Sequence, residues 1–133
     1  MAKPTEPEGK VQLPTEAELA ILQIVWNRGP STVREVHTAL RSRRTGYTTT
    51  LKQMQVMTDK GLLKRNERYR SYVYETRIPR EQTQLLLTRT LLERAFNGSA
   101  KNLVLGALSS QPISRSELAE IRNMLDQFEK GEA

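Results

Sequence analysis

Apolar positions along this chain recur mostly at helical spacing, and only briefly at the alternate-residue spacing of strands. Leu19, Ile21, Leu22, Val25 and Trp26 give a first helix a broad apolar face ending at Trp26. Thr15-Glu16-Ala17-Glu18, with Pro14 just before it, marks its start. A hydroxyl and a carboxylate at that spacing satisfy two otherwise orphaned backbone N–H groups reciprocally. Asn27-Arg28-Gly29-Pro30 reads as a turn. A second helix, capped by Ser31 or Thr32, repeats the box with Thr32 and Glu35 and has Val33, Val36, Ala39 and Leu40 as its buried side. Arg41, Ser42, Arg43 and Arg44 end it, placing cations where the helix dipole favours them.

The pattern predicts a third helix over Thr48–Lys60, stopped at Gly61, a residue that takes the left-handed cap conformation cheaply. Thr50, Leu51, Met54, Met57 and Thr58 share its inner side. Thr48, Thr49, Lys52, Val56 and Asp59 share the outer side, with Gln53 and Gln55 on the flanks. Leu62-Leu63-Lys64-Arg65 and Tyr72-Val73-Tyr74-Glu75 read as short strands around a polar turn, Asn66 to Ser71, that holds Arg68 and Arg70. Three helices followed by a hairpin is the order of a winged helix-turn-helix, so the expected class is mainly α with a small β-hairpin wing. Trp26 and the tyrosines Tyr47, Tyr72 and Tyr74 fit core or supporting roles.

Ile78-Pro79 marks a boundary. Beyond it the pattern predicts a long helix over Arg80–Phe96 that ends at Asn97-Gly98, then a helix from Ser99 to about Ser109, and a last one opened by a third box, Ser114 with Glu117. Leu85, Leu92, Phe96, Leu103, Val104, Leu108, Leu118, Ile121, Leu125 and Phe128 are too many apolar side chains for so short a segment to bury alone. They are expected to form a homodimer interface. The expected organisation is a disordered arm over residues 1–12, a winged-helix domain over 13–78 and a helical dimerisation domain over 79–130.

The outer side of the third helix is unusual for a solvated surface, because it carries hydroxyls, amides, one cation and a bare Val. Hydroxyls and amides read base edges, Lys meets phosphate, and Val lies against a thymine methyl. Charge supports a polyanion partner. Residues 1–80 carry 15 Lys and Arg against 8 Asp and Glu, whereas residues 81–133 carry 6 against 7. The candidate DNA contacts are Arg43, Arg44, Thr48, Thr49, Lys52, Gln53 and Val56, with Arg68 and Arg70 at the wing. The competing reading is a protein-interaction adaptor that uses the same fold without DNA.

The remaining chemistry is expected to be absent. There is no Cys, and His37 is the only His, better read as a surface or satisfied residue than as a ligand. No Ser/His/Asp set, glycine-rich phosphate loop or HExxH occurs, so neither an enzyme nor a cofactor or metal is expected. No apolar run approaches the roughly 20 residues of a membrane span, and MAKPTEPEGK lacks the apolar centre of a signal peptide. A cytoplasmic protein without membrane insertion is expected.

With these residues in place, the chain resembles the penicillinase-repressor family (the BlaI/MecI/CopY group) over roughly residues 12–128. The resemblance rests on LPTEAELAILQIVW, GYTTTLKQMQVMTDKGLL, RSYVYET and KNLVLGALSS. It implies a dimeric, cytoplasmic repressor of palindromic operators, often before beta-lactamase or cell-wall-stress genes, released by cleavage by a partner membrane sensor-protease, as many members are, or by another signal. The groove-reading helix of the family falls on Thr48, Thr49, Lys52, Gln53 and Val56, and its wing on Arg68 to Tyr74. Two positions depart from the pattern. Val56 stands where a basic residue is frequent, and Leu103-Val104-Leu105 leads to Gly106-Ala107 where the family's cut bond is typically Asn-Phe. Gly106 and Ala107 are thus the candidate cleavage residues. The copper-responsive branch uses C-terminal cysteines that this chain lacks.

Overall fold

The computed structural model describes residues 13–40, 45–68 and 71–131. Among these residues, six helices and a two-stranded antiparallel hairpin follow in the order α1 (Glu16–Arg28), α2 (Val33–Ala39), α3 (Tyr47–Asp59), β1 (Leu63–Arg68), β2 (Ser71–Thr76), α4 (Arg80–Ala95), α5 (Ala100–Ser109) and α6 (Arg115–Glu129). The fold is mainly helical with a small β wing. Two compact units divide the chain, one up to Leu87 and the other from Thr88.

In the first unit, both boxes at the helix starts form as the sequence predicts. Thr15 and Glu18 exchange bonds of 3.0 and 3.1 Å at α1, and Thr32 and Glu35 exchange bonds of 2.9 and 3.1 Å at α2. Thr32 is the cap of α2, and Ser31 has another task. Its backbone N–H and C=O bond to Tyr74 at 3.0 and 2.8 Å, adding a bridge to the edge of β2. Gly29, at φ 89° and ψ −167°, turns the chain from α1 into that bridge, in a region open essentially to glycine alone. The Ser31 hydroxyl donates back to the Gly29 carbonyl at 2.8 Å.

Ala39 departs from expectation. The chain turns extended at Leu40 (φ −67°, ψ 132°), so α2 has only 7 residues and Ala39 faces solvent. Helix α3 begins one residue early, at Tyr47, and its last turn closes as a Schellman motif. Gly61 (φ 86°) donates to Thr58, and Leu62 donates to Met57 at 2.9 Å. Leu62 therefore belongs to the cap, and β1 starts at Leu63. Pairing then runs from Leu63↔Thr76 to Arg68↔Ser71, so strand pairing takes up most of the predicted turn. Across the outer face of the hairpin, Glu75 receives Asn66 at 3.0 Å and pairs with Lys64 at 3.8 Å.

The core sits where α1, α2, α3 and the base of the wing meet. Ile21, Leu22, Val25, Val33, Val36, Met54, Met57, Leu63 and Tyr74 are buried, with Trp26, Leu40 and Leu51 packed against them. Each large apolar side chain so removed from water contributes about 1.5–3 kcal/mol. Trp26 reaches beyond this core. Its indole N–H donates to the Ile78 carbonyl at 3.3 Å, and the Arg80 guanidinium stands 5.8 Å from its ring.

Among the described residues of this unit, Glu18 is the buried charge. One carboxylate oxygen accepts from the Thr15 N–H and the other from Lys60 Nζ at 2.7 Å, which ties the start of α1 to the end of α3. Burial alone raises its pKa, but the bonds from Lys60 and Thr15 outweigh burial, so the net direction is downward. The folded state therefore holds the ionised form more firmly than the unfolded chain does, and this stability is present above the unfolded pKa and fades as pH falls through the lower folded one. Glu18→Gln is expected to lower stability by about 1 kcal/mol near neutrality, because Lys60 is partly solvated. The gap from the natural protein should close on acidification. Melting temperatures of both proteins between about pH 3 and 7 test this, and a gap that stays constant with pH would refute it.

The second unit holds the end of α4 with α5 and α6. Asn97, at φ 51°, and Gly98 end α4, as the sequence predicts. Ser99 caps α5. Ser114 caps α6 by accepting from the Glu117 N–H at 3.0 Å, the forward half of the predicted box. None of the described helices is long and apolar enough to cross a membrane.

Candidate nucleic-acid interface

Helix α3 separates its two predicted faces cleanly. Thr50, Met54 and Met57 are buried, with Leu51 and Thr58 half-buried beside them. The Thr58 hydroxyl donates to the Met54 carbonyl at 2.8 Å, so it stays bound to its own helix. Thr50 is held from the other side by His37, whose Nδ1 lies 2.9 Å from its hydroxyl oxygen. His37 is thus a satisfied histidine that braces α2 against α3. On the outer face Thr48, Thr49, Lys52 and Val56 are all exposed, and Gln53 is half-buried on the flank. Val56 is 43% exposed, an apolar side chain on an otherwise polar face.

The structure brings Thr48, Thr49, Lys52 and Val56 together on one exposed helical face. Arg68 closes β1 opposite Ser71, next to the hairpin tip. Arg43, Arg44, Arg70 and the arm over residues 1–12 lie outside the described residues.

Tyr74 is the buried support that the sequence predicts, at the Ser31 bridge. Tyr47 and Tyr72 take a different role, since both are exposed and each carries an arginine. The Arg34 guanidinium lies 4.9 Å from the Tyr47 ring centre, and that of Arg65 lies 4.0 Å from Tyr72. Sequence reasoning did not assign Arg34 or Arg65. The signal for Arg65 was present in the register, because Arg65 pairs with Tyr74 and Tyr72 is its diagonal neighbour on the same face.

In the second unit every residue expected at a dimer interface is at least partly solvated. Leu92, Phe96, Leu103, Leu108, Leu118 and Ile121 are half-buried, and Val104, Leu125 and Phe128 are exposed. Leu85, in the first unit, is also exposed. On α6, Leu118, Ile121, Leu125 and Phe128 recur at heptad-like spacing along one side. Gly106 and Ala107 are exposed within α5, and a Cβ built on Gly106 would stand 3.6 Å from the Phe96 ring, an ordinary contact.

The family model described as penicillinase repressor matches residues 14–127. The penicillinase repressor of Bacillus licheniformis is 24% identical over 119 residues, covering 89% of this chain and 93% of that protein. The penicillinase repressor of Staphylococcus aureus is 21% identical over 115 residues, covering 86% of this chain and 91% of its own.

Proposed function

Because the chain belongs to the penicillinase repressor family, we propose that it is a transcriptional repressor that occupies palindromic double-stranded operator DNA as a homodimer in the cytoplasm. The genes it controls would be of penicillinase (beta-lactamase) or cell-wall-stress type, after the name its relatives carry. The observation that carries this reading is the outer face of α3, which offers hydroxyls, a cation and an apolar patch to solvent on a helix anchored by its buried side. Such a face fits the major groove, where these groups meet base edges, phosphate and thymine methyls. Two subunits joined through their C-terminal helices would set two α3 helices on half-sites about one turn of duplex apart, roughly 34–36 Å. Arg43, Arg44, Arg68 and Arg70 would add backbone contacts.

Titration of a palindromic and a scrambled duplex at two salt concentrations tests the reading. Lys52→Ala should weaken binding to both duplexes equally, because phosphate is common to every sequence. Thr49→Ala or Gln53→Ala should cost about 1–3 kcal/mol on the palindrome only. Equal affinity of the natural protein for both duplexes would remove the specificity. No binding even at low salt would favour a protein-interaction adaptor.

Release by a membrane sensor-protease would act at Gly106-Ala107, in α5. A helical bond must unwind before a protease can hold it extended, and a glycine inside the helix lowers the cost of that opening by roughly 1 kcal/mol relative to alanine.

A further inference from the structure

An open groove of about 350 Å³ lies between α2, α3 and β2 of the first unit. The buried Val33 and Tyr74, with Leu51, give it an apolar floor, and Arg34 and the exposed rings of Tyr47 and Tyr72 form its rim. Arg65 lies against Tyr72, so a stacked guanidinium stands on each side. Stacking on a ring face steadies a guanidinium while its in-plane N–H groups remain available for an anion. Three other cations of this unit are paired with carboxylates: Arg28 with Glu35, Lys60 with Glu18 and Lys64 with Glu75, whereas Lys52 stands exposed on the outer face of α3. Arg34 and Arg65 have no carboxylate partner among the described residues. Tyr47 is itself fixed, with the His37 ring meeting it edge-on at 5.9 Å and 84°.

An apolar floor between two stationary cations suits a polymer in which apolar sugar faces alternate with anionic links. Tyr47 and Leu51 each precede, by one residue, members of the outer face of α3, so the groove adjoins that face. We propose that the groove takes the sugar–phosphate backbone of one DNA strand, with deoxyribose against the tyrosines and a phosphate at each of Arg34 and Arg65. This inference rests on the DNA-binding reading above and adds to it a clamp that is indifferent to sequence.

The test compares the natural protein with R34Q, R65Q, the double variant and Y72L, on palindromic and scrambled duplexes across a salt series. Each lost arginine contact should flatten the slope of log K against log salt by about 0.9 and lower affinity roughly tenfold at low salt, by the same factor on both duplexes. Y72L should reproduce part of the R65Q loss. Thermal melting checks that these exposed substitutions leave the fold intact. R115Q, at the start of α6, removes the same charge elsewhere. A double variant with the natural slope, or an equal flattening in R115Q, would overturn the clamp. Absence of binding by the natural protein would instead overturn the DNA-binding reading itself.

Discussion

Replacing Leu125 and Phe128 together by Glu is expected to yield a folded monomer whose operator affinity is at least about 100-fold weaker than that of the natural protein. These side chains are 58% and 67% exposed, so the subunit's own packing depends little on them. In the proposed dimer each occurs twice, and burying a Leu or Phe removes about 1.5–3 kcal/mol of unfavourable apolar exposure. A Glu in the same place would carry an unpaired charge into the interface, which is costlier than the lost contact alone. A monomer reaches only one half-site at a time, so it forfeits the intramolecular second binding step, worth about 10²–10⁴ in affinity. Sedimentation gives the mass, melting reports the fold, and titration gives the affinity. A variant that remains dimeric, or a monomer that binds as tightly as the natural protein, would refute the proposed assembly.

Met54→Ala should lower the unfolding free energy by about 2–5 kcal/mol, a large share of what a small domain possesses. Met54 is fully buried on the inner side of α3, among Ile21, Leu22 and Tyr74 of the same core. Ala would leave a cavity that this framework of short helices and one hairpin closes only in part. Lys52, two residues earlier and exposed, should change stability by less than about 0.5 kcal/mol when replaced by Ala. Urea unfolding of the two variants separates the faces: a stable M54A would mean that α3 does not anchor the core as its burial indicates, and an unstable K52A would mean that its outer face is not a free surface.

What the chain disclosed in advance was mostly local. Thr15 with Glu18 and Thr32 with Glu35 lie within one helical turn of each other, so each box holds both of its partners in four consecutive residues. The two sides of α3 follow from helical periodicity alone, and Gly61 ends that helix by a conformation written into its lack of a side chain. Contacts made across the fold were not legible. Glu18 meets Lys60 from 42 residues away, and nothing near either residue announces the pair. Ser31 looked like a helix cap because Ser is a good one, but backbone pairing with Tyr74 claimed it. Ala39 was misjudged because it is the last residue of α2, and spacing alone does not tell which side chains of a final turn find a neighbour to cover them. The stacked arginines were missed because cation–ring contacts need a register and a helix crossing, neither of which spacing in one segment supplies. For the candidate DNA face, the sequence singled out the residues on α3 but not Arg34 and Arg65 beside them.

Trp26 is the sole tryptophan in the chain, and its indole is fixed where α1 meets the segment entering α4. The protein thus carries one indole fluorophore, located at the base of the helix that leads into its second unit. Its emission reports on that joint without a dye, against a background of tyrosines alone. A shift to longer wavelength on adding duplex or denaturant would signal water reaching the indole as the Ile78 and Arg80 contacts part.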